Sequence, residues 1–178
     1  MLQTIYVIDI VNKIIENLQA KTALELGTGT GGILAGLNVA SKVGVDKFYP
    51  DLLTAANKFP SLALIKYDIL KLEEILLPKS FDVVIGFDIS EHFVEADAMQ
   101  LISMAERIAT KAVIFWGPLE PSLSLNPTPD NSGQEHLSLL NMDMFDKRNY
   151  EIIRFPYYWR IPRVDRNVDG ILCFKCWR

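Results

Sequence analysis

Short apolar runs alternate with amphipathic stretches along most of the 178-residue chain. The runs are rich in valine, isoleucine and leucine, as in strands that are buried on both faces of a parallel sheet. The stretches between them place apolar residues three and four positions apart, which predicts helices. The predicted strands are 23–26, 43–45, 62–66, 81–86, 111–116, 151–160 and 170–177, and the predicted helices are 5–18, 32 onward, 52–58, 71–76, 95–110 and 137–146. The pattern therefore predicts one doubly wound α/β domain over residues 1–178 that ends in a hairpin.

The pattern changes after the fifth predicted strand. Residues 117–135 contain four prolines and two glycines in mostly polar surroundings, and they show no periodicity. An irregular stretch of this length is uncommon in a compact domain unless it serves a function. Residues 1–20 supply only a short helix before the first strand. We therefore expect residues 117–135 to form a lid over a binding site.

Composition narrows the class of protein. Apolar residues make up 49% of the chain and charged residues 22%, as in ordinary globular domains and unlike disordered proteins. No run of 18 apolar residues is present, so we expect no membrane span. The net charge of −4 argues against broad binding to nucleic acid. Two cysteines and no export signal predict a cytoplasmic protein without a disulfide framework.

The two cysteines also have the spacing of a zinc knuckle. Cys173 and Cys176 lie in a predicted strand, however, where an offset of three residues places two side chains on opposite faces. No second cysteine pair is present to complete a tetrahedral site. We therefore predict no metal site.

A glycine-rich turn follows the first predicted strand. The sequence Glu25-Leu-Gly27-Thr-Gly29-Thr-Gly31-Gly32 leads from this strand into a predicted helix. Glycines permit positive φ and close approach of a ligand, and a helix N-terminus presents free N–H groups. The turn therefore predicts a nucleotide or cofactor site. No Lys-Ser/Thr pair follows, which excludes a P-loop, but the same letters satisfy the G-x-G-x-x-G pattern of dinucleotide-binding proteins.

Three acidic residues follow neighbouring predicted strands. Asp46 closes the second strand, at the distance from the glycine turn where a carboxylate can accept ribose hydroxyls. Asp68 follows the third strand and Asp88 follows the fourth. Any one of them alone is typical of a helix cap. Because the carboxyl ends of parallel strands meet at one edge of a sheet, the three together predict a binding site.

At these residues the chain resembles the class I S-adenosylmethionine (SAM)-dependent methyltransferases, over residues 18–177. The turn that begins at Glu25 is similar to the family's acid-x-Gly-x-Gly-x-Gly motif, whereas dinucleotide dehydrogenases usually carry an apolar residue at the position of Glu25. Asp46 resembles the acid that holds the ribose. Asp68 and Ile69 look like the pair that meets the adenine edge. The sequence Asp88-Ile-Ser-Glu91-His92 is similar to the small-molecule branch of the family.

The resemblance implies a seven-stranded sheet of order 3-2-1-4-5-7-6 with an antiparallel last strand. It also implies SAM as the cofactor and methyl transfer to an oxygen or nitrogen atom of a small-molecule acceptor. Nothing similar to the Asn-Pro-Pro-Tyr signature of enzymes that methylate nucleic-acid bases follows the fourth strand. The cofactor-binding residues implied by the resemblance are Glu25, Gly27, Gly29, Gly31, Asp46, Lys47, Asp68, Ile69 and Asp88. Lys47 departs from the family pattern, which commonly has an apolar residue against the adenine.

The sequence offers fewer candidates for residues that act on the acceptor than for residues that bind the cofactor. His92 follows the fourth strand next to Glu91, and His136 follows the predicted lid next to Glu135. A histidine at a site edge can act as a general base, although it can equally cap a helix. We take His92, His136 and Glu91 as candidate catalytic residues. Two alternatives stay open: a non-catalytic SAM-binding module that regulates a partner, and an NAD-dependent oxidoreductase, which Glu25 and the lack of a substrate domain disfavour.

Overall fold

A computed structural model describes residues 2–119, 137, 142–161 and 166–177. Its strands are β1 (Thr22–Leu26), β2 (Ser41–Asp46), β3 (Ala63–Lys66), β4 (Phe81–Phe87), β5 (Ala109–Pro118), β6 (Glu151–Ile161) and β7 (Arg166–Cys176). They form one sheet of order β3-β2-β1-β4-β5-β7-β6. Pairing is parallel from β3 through β5, and β7 runs antiparallel to both β5 and β6. The predicted strand order and the antiparallel last strand are confirmed.

Helices cover both faces of the sheet. The α-helices are α1 (Leu2–Asn17), α2 (Gly32–Ala35), α3 (Tyr49–Lys58), α4 (Glu95–Ile108) and α5 (Met142–Asp146), and the 3₁₀ helices are Ile69–Glu74 and Ser90–His92. One face packs against α1 and α2, and the other packs against α4, α5 and the first 3₁₀ helix. In the described part of the chain, no helix is both long and apolar enough to cross a bilayer.

The alternation of side chains along the central strands produces these two cores. Val83 and Ile85 of β4 are buried on the face that carries α1, and Val84 between them is buried on the face that carries α4. Alternate residues of a strand point to opposite faces, so a wholly apolar strand fills both cores. Val7 and Val11 of α1, one helical turn apart, are fully buried against the first face. The two cores thus hold the central strands in place, and with them the carboxyl strand ends at which the sequence predicts a binding site.

Most predicted boundaries differ from the structure by a few residues, and three helices show how. The helix predicted over 71–76 is a 3₁₀ helix over Ile69–Glu74, and it begins early because the Asp68 carboxylate accepts a hydrogen bond from the Leu70 N–H at 3.1 Å. The helix predicted over 95–110 ends at Ile108, where β5 begins. The helix predicted over 137–146 is described only over Met142–Asp146, and Leu137 is not helical.

The first two residues of the predicted lid belong to the sheet. Gly117 and Pro118 belong to β5, where they pair with Ile171 and Gly170 of β7. Backbone pairing with β7 holds them in the sheet, so a lid over 117–135 cannot start at Gly117. Leu119 is described as well, and its N–H donates a hydrogen bond to the Asp169 carbonyl at 2.8 Å. Residues 120–136, which contain His136 and the predicted lid after Leu119, lie outside the described residues.

Candidate functional site

A cleft of about 150 Å³ opens at the carboxyl ends of β1–β4. The chain runs from β1 outward to β2 and β3 and then returns to the other side of β1 as β4, so the cleft lies where the strand order reverses. Its described lining residues are Gly27, Gly29, Asp46, Lys47, Asp51, Asp68, Ile69, Asp88, Ile89, His92 and Phe93.

The glycine turn forms the floor of the cleft between β1 and β4. Gly27 has a φ of 69°, and a Cβ built there would lie 2.5 Å from Cδ1 of Ile89. Only glycine therefore lets this turn approach the loop after β4. Gly31 (φ 77°) is not a lining residue, because its Cα faces Leu62 and Ala55, which packs α3 against the turn. Its contact with a cofactor stays a prediction.

Asp46 connects the glycine turn to the loop after β2. One carboxylate oxygen accepts a hydrogen bond from the Gly29 N–H and the other accepts one from the Phe48 N–H, each at 2.8 Å. A Cβ built on Gly29 would meet nothing within 4 Å, so this glycine borders open space. Lys47 also lines the cleft. The structure thus brings together the turn and the acid that the sequence analysis assigned to the ribose.

Glu25 lies beneath the turn rather than in the cleft lining. Its side chain is buried and accepts a hydrogen bond from the Thr28 hydroxyl at 2.5 Å. Burial, together with the charge of Asp46, raises the pKa of Glu25 to about 8. A Cβ at Gly44 of β2 would lie 2.7 Å from Thr28 Oγ1, so the absence of a side chain there makes room for this contact. Glu25 holds the turn in place through Thr28.

Asp68 and Ile69 line the cleft at the end of β3. The same Asp68 carboxylate that caps the 3₁₀ helix therefore also borders the cleft. Asp51, Ile89 and Phe93 are lining residues that the sequence did not predict. Asp51 lies in the first turn of α3, and an acid there follows from the sequence as a helix-terminal charge rather than as a ligand contact.

The loop after β4 carries three polar side chains that each have a buried oxygen atom. Asp88 adopts a φ of 45°, a left-handed conformation that non-glycine residues rarely take, and its N–H donates to the Trp116 carbonyl at 2.8 Å. Among the residues that the structure describes, Asp88 Oδ1, Ser90 Oγ and Glu91 Oε2 find no hydrogen-bond partner. Burial raises the pKa of both carboxyls, and the Asp88 charge adds to the rise at Glu91. Most buried polar atoms in proteins have a hydrogen-bond partner, so these three oxygens call for an explanation.

The three candidate catalytic residues lie in different places. His92 lines the cleft. Glu91 is 2% exposed and lies behind the lining, and its carbonyl accepts a hydrogen bond from the Leu137 N–H at 2.8 Å. His136 lies outside the described residues. The structure therefore places one histidine at the mouth and one carboxyl beneath it.

The lining is strongly acidic. Four of its side chains carry carboxyl groups, namely Asp46, Asp51, Asp68 and Asp88. Lys47 is the one lysine or arginine among the described lining residues. The described part of the chain contains no cluster of three or more His, Cys, Asp or Glu side chains that could hold a metal ion. The lining therefore favours an organic ligand that carries positive charge.

No protein-family model matches the sequence, and no curated protein matches it either. The structure is similar to magnesium protoporphyrin IX methyltransferase from Synechocystis PCC 6803 with bound S-adenosylhomocysteine (SAH), with a TM-score of 0.70, 15% identity, and coverage of 98% of this chain and 83% of that one. A SAM-dependent methyltransferase from Archaeoglobus fulgidus has a TM-score of 0.62 and 15% identity, with 94% of each chain covered. The CurJ carbon methyltransferase has a TM-score of 0.69 and 15% identity, with coverage of 96% and 53%.

These similarities establish the fold. The chain has the class I fold of SAM-dependent methyltransferases, and the resemblance noted in its sequence is confirmed at that level. The glycine turn, Asp46 and the acids after β3 and β4 stand at one sheet edge in this fold.

Proposed function

We propose that this protein is a SAM-dependent methyltransferase that transfers a methyl group to an oxygen or nitrogen atom of a small molecule. The acidic lining of the cleft carries this proposal. SAM has a sulfonium and an ammonium group against one carboxylate, so it is a net cation, whereas NAD carries an anionic pyrophosphate. Four carboxyl groups against one lysine give the lining a net negative charge, which attracts SAM and repels NAD. Charges interact most strongly where water is displaced.

The described residues fit SAM. The Asp46 carboxylate would accept the ribose hydroxyls, since each of its oxygens holds one backbone N–H and keeps a free lone pair. The Asp68 carboxylate would accept the exocyclic amine of adenine, with Ile69 beside it. The aliphatic stem of Lys47 would lie along the base and leave its ammonium in water. When bound, SAM would supply the activated methyl group.

Fewer residues of the cleft bear on the acceptor than on the cofactor. The similar structures carry names for different acceptors, a porphyrin in one and carbon in another, so they select none for this chain. A small acceptor is favoured by the acidic cleft, which would repel a nucleic-acid backbone. His92 lines this cleft and would be the base that takes a proton from an attacking hydroxyl or amine, whereas Glu91, the other described candidate, lies behind the lining. Positioning would supply the rest of the rate enhancement.

The first test measures which ligand stabilises the fold. SAM and SAH should raise the melting temperature and NAD should not. A ligand at a hundred times its dissociation constant adds about 2.7 kcal/mol to the free energy of unfolding. Stabilisation by NAD with no effect of SAM or SAH would overturn the proposal.

The second test measures catalysis. Wild type, His92→Ala and His136→Ala are incubated with methyl-labelled SAM and small-molecule fractions of a cell extract, and SAH affinity is measured for each. Loss of transfer in His92→Ala with SAH affinity retained would support His92 as the base. Transfer by neither wild type nor variants, with SAM still bound, would favour the non-catalytic SAM-binding module instead.

A further inference from the structure

The outward face of α1 carries a stripe of polar and charged side chains. Tyr6, Asp9, Lys13 and Glu16 follow one another at intervals of three or four residues, so they share one face of the helix. All four are exposed, whereas the opposite face of α1 packs against the sheet. We call these four residues the α1 stripe.

The α1 stripe borders a groove of about 350 Å³ between the helix and the loop after α2. Asn12 ties the two walls of this groove together, because its amide nitrogen donates to the Gly36 carbonyl at 3.0 Å and its side-chain oxygen accepts from the Asn38 N–H at 2.8 Å. The surface is therefore ordered before any partner arrives, which lowers the cost of binding. It is separate from the cleft, since no described residue of the cleft lining belongs to α1.

The charged side chains of the α1 stripe have no partners within the molecule. Among the described residues, Asp9, Lys13 and Glu16 take part in no ion pair and no side-chain hydrogen bond. Asp9 and Lys13 are four residues apart, a spacing at which opposite charges can pair along a helix, but they do not pair here. Charges of both signs are thus available to another molecule.

The order of residues in the α1 stripe is complementary to itself. When two copies of α1 pack antiparallel about a two-fold axis level with Val11, Asp9 of each copy faces Lys13 of the other, because both lie two residues from the axis. Tyr6 and Glu16 each lie five residues from the axis, so the Tyr6 hydroxyl of one copy faces the Glu16 carboxylate of the other. A parallel arrangement would instead place like charges together.

We propose that the α1 stripe is the surface through which two copies of this chain form an antiparallel, two-fold symmetric dimer. The facing charges select the register, and the exposed ring of Tyr6 and the partly buried Ile10 add apolar contact area. The Tyr6 ring is held in place by edge-on packing against Phe155, with 6.3 Å between the ring centroids. This inference is independent of the proposed function.

The size of the surface predicts a weak dimer. The α1 stripe spans about three helical turns, or about 15 Å. Three turns of one helix offer less area than the roughly 800 Å² per partner that a standard interface buries. Exposed ion pairs add little to affinity, although they exclude wrong registers. We therefore expect monomers in dilute solution and dimers at high protein concentration.

Sedimentation velocity from about 10 µM to about 1 mM covers the range of weak association. Wild type should shift from monomer to dimer within it. Asp9→Lys and Lys13→Glu each place like charges opposite one another at two points, so each variant alone should stay monomeric. An equimolar mixture of the two should recover the dimer, because every facing pair then has opposite charges. Pairing of charges within a single helix could not produce this recovery.

Asp146→Lys and Lys58→Glu make the same charge changes at exposed positions of α5 and α3. Each of these control variants should dimerise as wild type does. All the substitutions are at exposed helix positions and introduce good helix formers, so the variants should fold, which circular dichroism checks. Three results would each overturn the proposal: wild type that stays monomeric at every concentration, a dimer that survives Asp9→Lys or Lys13→Glu alone, and a mixture that stays monomeric.

Discussion

The aspartates at the two ends of β4 differ in their hydrogen-bond partners and in the direction in which their pKa is shifted. Asp82, near the start of the strand, accepts hydrogen bonds from the Lys21 N–H at 2.6 Å and the Thr110 hydroxyl at 3.2 Å, and it lies 3.5 Å from the Lys111 ammonium. Burial alone would raise the pKa of Asp82, but these contacts outweigh it and hold the pKa below its usual value. Asp88, just past the end, keeps a buried oxygen without a partner among the described residues, and burial raises its pKa.

This difference separates stability from binding along a single strand. At the amino end, a carboxylate with several partners ties β4 to the residues before β1 and to β5. At the carboxyl end, unsatisfied carboxyls cost stability and are retained where a ligand can satisfy them. Substitutions at the amino end of β4 should therefore change the free energy of unfolding. Substitutions at the carboxyl end should change ligand affinity.

The largest expected effect is at the carboxyl edge. Asp46→Ala removes a carboxylate that would accept two ribose hydroxyls, so we expect SAH binding to weaken by about 2–4 kcal/mol, or roughly 30- to 1,000-fold. Calorimetric titration with SAH measures the affinity. Asp82→Ala is the control, since it removes the same group at the other edge and should leave affinity unchanged in the folded protein. An Asp46→Ala affinity within about threefold of wild type would show that this carboxylate only braces the loop.

A substitution at the amino end of β4 should lower the free energy of unfolding. Asp82→Ala leaves the Lys21 N–H without its acceptor and removes the ion pair with Lys111, so we expect the free energy of unfolding to fall by about 1–3 kcal/mol. Denaturant unfolding followed by fluorescence measures it. Asp9→Ala, an exposed change on α1, should stay within about 0.5 kcal/mol of wild type. If the two variants unfold alike, the contacts of Asp82 contribute nothing to stability.

The third expected effect is a slope of the free energy of unfolding with pH. The pKa of Glu25 is raised from 4.5 to about 8, so between these values the folded protein keeps a proton that the unfolded chain has lost. The free energy of unfolding therefore falls as pH rises through this window, by at most about 1.4 kcal/mol per pH unit for this group. Glu25→Gln should flatten the slope and exposed Glu16→Gln should not. Parallel curves for wild type and Glu25→Gln would contradict the buried, protonated state of Glu25.

The sequence predicted the edge of the site better than its interior. The strand order was implied by the resemblance to the methyltransferase family, since the pattern of the chain predicts strands but not their order. The positions of Asp46, Asp68 and Asp88 follow from local patterns, because a short buried strand followed by an acid places that acid at the sheet edge. The first 3₁₀ helix was placed two residues late, since Asp68 serves as its cap as well as a lining residue.

Contacts between elements that are far apart in the chain could not be predicted from the sequence. That Gly31 packs against α3, and that Glu91 lies under β5 instead of in the lining, depend on how separate elements approach one another in space. Asp51 was missed for the same reason: an acid in a first helical turn is common, and only the folding of α3 beside β2 places it at the cleft. Hydrophobic periodicity carries no information about such approaches.

The two backbone hydrogen bonds of Asp46 have a consequence for how tightly a small ligand can be held. Its carboxylate is fixed by the Gly29 and Phe48 N–H groups before any ligand arrives, so the acceptor atoms already point in a set direction. An immobilised side chain that must be ordered on binding costs about 0.5–1.5 kcal/mol, and this one is ordered when the chain folds. Preorganisation of this kind lets a single carboxylate contribute nearly the full strength of its hydrogen bonds to affinity.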